Sequence, residues 1–109
     1  MKRIDFYVPE SHLEAVLEAM FRSGAGRAGN YDRCCFVHRG LGRFRPLPGA
    51  APFSGKPGED CLVEEMKVEL VCEDSAVPAA VEALLGAHPY ETPAYSVIAL
   101  EDVRSSRLP

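Results

Sequence analysis

A chain of 109 residues suits one domain that buries about two thirds of its unfolded surface, with too little left over for a second core. Hydrophobic residues at 47% and charged residues at 26% exclude a disordered chain and a disulfide-dense mini-protein. The net charge of −4, the lack of any apolar run near the ~18 residues of a membrane span and a start without a signal-like stretch lead to the expectation of a cytoplasmic, non-membrane protein.

Ile4, Phe6 and Val8 alternate with Asp5 and Tyr7, the period of a half-buried strand, which Pro9 ends. Ser11 and Glu14 have the spacing of a capping box. Leu13, Val16, Leu17, Met20 and Phe21 then form one apolar helical stripe, stopped at Ser23-Gly24. Cys34 to His38 predicts a short second strand. Met66, Val68, Leu70 and Cys72 alternate with Glu65, Lys67, Glu69 and Val71, a third strand with one wet face. Ser75 precedes a second helical stripe of Val77, Ala80, Val81, Leu84 and Leu85, in which Pro78 is tolerated because it falls in the first turn. Tyr95 to Leu100 predicts the last strand.

Shifting the numbering by 64 lays Ile4, Phe6 and Val8 on Val68, Leu70 and Cys72, and Leu13, Val16 and Leu17 on Val77, Ala80 and Val81. Two βαβ units therefore stand in tandem. The simplest packing is an α+β ferredoxin-like βαββαβ sandwich, a four-stranded antiparallel sheet with both helices on one face. The bare sheet face predicts a homo-oligomer, dimer or trimer.

The stretch 39–60 holds five glycines and four prolines and is expected to be a long ordered loop anchored by Leu41, Phe44, Leu47 and Phe53. It also lies in a basic island. From Arg22 to Lys56 seven basic residues face one acid, Asp32, so the segment is either a site for an anion, a surface that docks on an acidic neighbour, or a solvated loop.

The run Gly24-Ala25-Gly26-Arg27-Ala28-Gly29 matches the dinucleotide fingerprint in letters only. It follows a helix rather than a strand, so its glycines are expected to cap that helix and give the backbone freedom. His88-Pro89-Tyr90-Glu91 puts an imidazole, a phenol and a carboxylate in one turn, group types used by metal sites and by acid-base chemistry, or simply a helix stop with a packed Tyr90. Cys34 and Cys35 are adjacent and make a poor metal clamp, so Cys34, Cys35, Cys61 and Cys72 are expected to be reduced, mostly buried thiols. His12 is expected to be exposed and His38 to end its strand. No paired-histidine metal motif, serine elbow or phosphate-loop lysine is present.

The segment from Gly24 to Phe36 resembles the GAGxxGNYxxCxF run of the YqfO-type insert domain of the Nif-three-like family, whose long members are named GTP cyclohydrolase type I family proteins. Gly40 to Leu47 with Gly49, Pro52, Phe53 and Gly55 is similar to that family's GxGxFxPLxGxxPFxG loop, and His88 to Glu91 with Ala94-Tyr95 to its HPYExxAY ending. The resemblance implies a CutA- and PII-like fold and a stand-alone version of an accessory domain, without the halves that bear a di-metal centre. Thr92, Pro93 and Cys35 depart from the pattern. CutA and PII relatives form trimers whose loops or clefts meet metals, nucleotides or proteins, which implies a non-enzymatic regulatory module for a small anion, a nucleotide or a divalent metal.

The candidate ligand-binding residues are accordingly Arg39, Arg43, Arg45 and Tyr90, and the candidate metal donors His38, His88 and Glu91. The alternatives are a structural oligomerisation domain whose loop fills an interface, burying Phe44, Leu47 and Phe53 between chains, and a metal-assisted hydrolase. Nucleic acid is not expected as a partner, given the negative net charge and the absence of tryptophan and of any reading motif.

Overall fold

Strand β1 (Lys2–Val8) places Ile4, Phe6 and Val8 on one side, all fully buried, because residues two apart on a strand share a face. Opposite them pack Val16, Leu17 and Met20 of α1 (Glu10–Arg22) and Ala80 and Leu84 of α2 (Val77–Ala87). In this computed structural model, which describes residues 1–103, β2 (Phe36–Phe44), β3 (Cys61–Cys72) and β4 (Tyr95–Ala99) complete one sheet. Its order is β2-β3-β1-β4 and every neighbouring pair is antiparallel. This is the α+β ferredoxin-like sandwich that the duplicated pattern predicts. Val68, Leu70 and Cys72 of β3 extend the core under the helices, and Leu85 alone of the second stripe departs from it, turning 44% exposed.

The local corrections have physical causes. Pro9 acts as N-cap of α1 with an extended φ of −65° and ψ of 148°, and no side chain caps the helix. Ser11 therefore lies inside the first turn, where its hydroxyl bonds His12 Nδ1 at 2.8 Å rather than forming a capping box with Glu14. Ser75 likewise sits within a short 3-10 turn (Asp74–Ala76) ahead of α2, and Pro78 occupies the first turn as expected. The second strand begins at Phe36 rather than Cys34 and continues to Phe44, so residues 39–44 belong to β2 and the loop proper spans 45–60. The glycine-rich composition concealed this.

Above Gly42 of β2 lies the Glu65 carboxylate, in the space that an added Cβ would take. Gly26 is constrained in a different way. Its φ is +84° and an added Cβ would come within 2.9 Å of the Phe21 ring, while its N–H donates to Val71 O and its carbonyl accepts from Cys34 N–H, both at 2.8 Å. Left-handed φ values at Gly24, Gly26 and Gly29 are the backbone freedom expected after α1. The four cysteines are free, but Cys72 alone is buried and Cys35 is exposed.

The opposite sheet face carries Arg3, Asp5 and Tyr7 of β1, Lys67 and Glu69 of β3, Phe36 and His38 of β2 and Ile98 of β4, by strand parity and register. No helix covers it. Arg3 pairs with Asp5 at 2.9 Å and Lys67 with Glu69 at 3.7 Å, while Phe36 is 63% exposed.

Because Met20 is fully buried, Met20→Ala leaves a cavity and is expected to lower the unfolding free energy by about 2–5 kcal/mol. Leu85→Ala, at an exposed site, should change it by less than about 1 kcal/mol. Urea titrations of both variants check the pair.

Candidate functional site

Helix α2 ends because Pro89 cannot continue it and biases the preceding residue away from helical backbone. His88 accordingly adopts φ −72° and ψ 136°, with its own N–H still donating to Leu84 O. This turns the imidazole back onto β1. Strand β4 pairs with β1 only as far as Tyr95 opposite Phe6, and the Tyr7 carbonyl just beyond that end is met by His88 Nε2 at 2.5 Å. The other ring nitrogen, Nδ1, accepts from the Tyr90 backbone N–H at 3.1 Å. A backbone amide can only donate, so the neutral ring carries its proton on Nε2 and donates to Tyr7. Only 7% of His88 is exposed, and desolvation holds its pKa below the ordinary value, more than offsetting the raising influence of the Tyr7 carbonyl and Glu65; His12 adds to the lowering.

With its backbone held by His88, Tyr90 extends to Glu65 of β3 and donates its hydroxyl to Oε2 at 2.9 Å. Burial, and then the bond to Glu65, raise the phenol's pKa, so it remains a donor. The next residue, Glu91, accepts the Ala51 backbone N–H at 3.2 Å and so ties the 45–60 loop to this turn. The loop is a folded excursion: Ala50 N–H bonds Leu47 O at 3.0 Å and Gly58 N–H bonds Pro46 O at 2.8 Å. Phe53 is half-exposed, with its ring 6.0 Å from that of Tyr90 and edge-on to His12 at 5.4 Å. Leu41 and Leu47, expected to anchor the loop, are 69% and 66% exposed.

Between loop, turn and sheet lies a cavity of about 290 Å³. The sheet contributes Tyr7, Glu65 and the end of β2, Arg43 and Phe44; the loop contributes Pro46, Ala50, Pro52, Phe53 and Ser54; the turn contributes Tyr90, Glu91, Thr92 and Ala94. Of the candidates named from sequence, Arg43, Tyr90 and Glu91 are brought together here. Arg39 is not: both its terminal nitrogens bond the Glu10 carboxylate at 3.0 Å. Arg45 lies outside the lining. His38 sits mid-strand, exposed, with its ring 5.7 Å from that of Phe36, and His88 is behind Tyr90 with both nitrogens occupied. Among the described residues no three His, Cys, Asp or Glu side chains are grouped to hold a metal ion.

The basic island is partly neutralised within the chain. Arg39 holds Glu10, and Arg33 holds Glu18 at 2.7 Å, each pulling the helix carboxylate's pKa below its usual range. Tyr7 and Glu65 were missed by sequence reasoning. A large aromatic on the wet side of β1 was the available signal for Tyr7; Glu65 gave none, because its role depends on a turn 25 residues away.

No family model matches the chain. Among solved structures it resembles Pyrococcus horikoshii CutA, with a TM-score of 0.69 and 16% identity over 98% of this chain and 91% of that one. It also resembles the PII-like protein CutA from Nostoc sp. PCC 7120, again at TM-score 0.69 and 16% identity, over 97% of this chain and 89% of that one. At such identity the likeness defines the class by fold: a CutA-like α+β domain. Sequence similarity narrows it. The chain is 38% identical over 107 residues to the GTP cyclohydrolase 1 type 2 homolog of Bacillus subtilis, covering 98% of this chain and 29% of that protein. Against the homolog from Mycobacterium leprae it is 43% identical over 94 residues, covering 86% and 24%. A Bacillus cereus protein related to NIF3 superposes with TM-score 0.80 at 36% identity, over 93% of this chain and 26% of that one. Over nearly its whole length, therefore, the chain is a homologue of a segment of the Nif-three-like, YqfO-type proteins, and it spans about a quarter of the length of these relatives. No helix among the described residues is long and apolar enough to cross a membrane.

The depressed pKa of His88 means that the unfolded state binds its proton first as pH falls. His88 thus contributes stability that is complete above its ordinary value of about 6.5 and is lost as pH falls through the lower folded-state value. Melting temperature is expected to drop on acidification from pH 7 before the ion-paired carboxylates titrate. His88→Gln should be less stable at pH 7 by about 1–3 kcal/mol and lack this upper segment of the profile; an unchanged profile in the variant would assign the segment to another group.

Proposed function

We propose that this domain is a non-enzymatic small-ligand-binding module whose site is the pocket between the 45–60 loop and the Tyr90 turn. One observation carries the reading: an aromatic-walled cavity of about 290 Å³, close to the lower end of small-molecule pockets, is built from segments far apart in sequence and held by specific bonds. Its polar groups serve as walls. Glu65 receives the Tyr90 hydroxyl and Glu91 receives the loop amide, so both carboxylates are engaged in holding the walls of the pocket. A ligand contacting both Phe53 and Tyr90 would stiffen the loop, and that change in an exposed segment is how occupancy would be passed on to a partner. The metal version is less well supported, since Glu91 alone of His38, His88 and Glu91 lines the cavity.

Screening a set of small ring-bearing cations, neutral molecules and anions, nucleotides and divalent ions by amide chemical shifts tests this. Shifts at Ala51, Phe53 and Tyr90 with at least one of them, weakened about tenfold or more by Phe53→Ala, are expected. Silence across the set at millimolar concentration would overturn the reading.

A second reading, that copies of the chain associate as a dimer or trimer, is supported by the bare sheet face. Phe36 is 63% exposed there, Tyr7 39% and Ile98 37%, on a face that no helix among the described residues covers. Phe44 and Phe53 line the pocket, as Tyr7 does. Light scattering should show an oligomer at micromolar concentration that Phe36→Asp dissociates; a wild-type monomer at that concentration would sink it.

A further inference from the structure

Resting on the pocket as the binding site, we infer that its ligand is a small organic cation, a protonated amine or amidinium carried by a planar ring. Glu65 supplies the first reason. It is half-buried among aromatic walls, and one oxygen takes the Tyr90 hydroxyl at 2.9 Å. The other oxygen lies over the space left by Gly42. Among the described residues no lysine or arginine nitrogen lies within 4.0 Å of either. A half-buried carboxylate with one neutral donor has no ion-pair partner at contact distance, and a cation entering the pocket would provide one.

The walls supply the second reason. Tyr7, Phe44, Phe53 and Tyr90 all line the cavity, and aromatic faces attract cations through their quadrupoles, most strongly where water is excluded. The protein already uses this attraction next to the site, where Lys67 Nζ stands 6.0 Å from the centre of the Tyr7 ring. An anion would be received less well. Arg43 is the one basic residue in the lining, against Glu65 and Glu91, and Arg39, which could have reinforced it, is held by Glu10 through two bonds of 3.0 Å. A phosphate-rich ligand would therefore face a net negative wall.

Three probes that share a phenylethyl group separate the possibilities: 2-phenylethylammonium, 2-phenylethanol and 3-phenylpropionate, titrated into the full chain at pH 7.5 and low salt by calorimetry and amide shifts. The cation is expected to bind at least about tenfold more tightly than the alcohol and the carboxylate most weakly, with added salt eroding the difference. Glu65→Gln keeps an acceptor for Tyr90 and should bring cation and alcohol within about threefold of each other. Equal binding of cation and alcohol by the wild type, or tightest binding of the carboxylate, would overturn the inference and leave the binding-module reading in place. Failure of all three probes would overturn the inference as well, and the wider screen then decides whether the module reading falls with it. The wild-type comparison keeps the test decisive even if Glu65→Gln folds poorly.

Discussion

The pairing of β1 with β3 is the constraint from which the rest of the molecule follows. It runs from Lys2 opposite Cys72 to Val8 opposite Met66, and it joins the two halves of the duplicated pattern at their centres. A slip of one residue would turn Ile4, Phe6 and Val8 out of the core and bring Arg3, Asp5 and Tyr7 in, so the register is fixed by burial. Once it is set, Phe6 sits beside Val68 and Tyr95 under the helices, and the Tyr7 carbonyl is left at the point where β4 has already ended. His88 completes that carbonyl's bonding. Core and site therefore share one strand: its inward side chains hold the helices, and its backbone holds the turn that carries Tyr90.

Much of this was legible in the sequence, because the signals were periodic and local. The helical stripes, the alternation of β1 and β3 and the order of elements all follow from spacing, since each residue's face is decided by its own position in a regular element. The HPYE turn was also legible as a site, through the concentration of functional groups after a proline-terminated helix. What each residue does there was not. His88 reads as a donor to metal from its type, yet its two nitrogens are spent on the Tyr7 carbonyl and the Tyr90 amide, partners separated by most of the chain. Glu65 reads as one more charge on a wet strand face until the fold sets it beneath Tyr90.

Electrostatics show the same division between composition and placement. The excess of arginine between Arg22 and Lys56 leaves an anion site, a docking surface and a solvated loop open, and a charge's meaning depends on the nearest opposite charge. Helix α1 presents Glu10 and Glu18 toward that segment and engages Arg39 and Arg33. These are exposed pairs of small energetic weight. Their effect is to orient the β2 edge and the post-helix turn against α1 and to remove two arginines from the set available to a ligand. What remains at the cavity is Arg43 with two carboxylates, a balance opposite in sign to that of the segment as a whole.

Glycine in β2 connects hairpin and pocket. A glycine within a strand ordinarily weakens it, because the backbone loses more freedom on folding and no side chain packs. Here the vacancy above Gly42 is filled by the Glu65 carboxylate, which is thereby set where Tyr90 can donate to it. A side chain at that position would require the Glu65 carboxylate, the acceptor that joins β3 to the turn after α2, to shift. The loop adds the opposing wall through Phe53, and the Glu91 carboxylate ties the two segments through Ala51. The glycine-rich composition that disguises the end of β2 in the sequence leaves room, at Gly42, for the Glu65 carboxylate: local strand propensity is given up where a carboxylate lies against an aromatic wall.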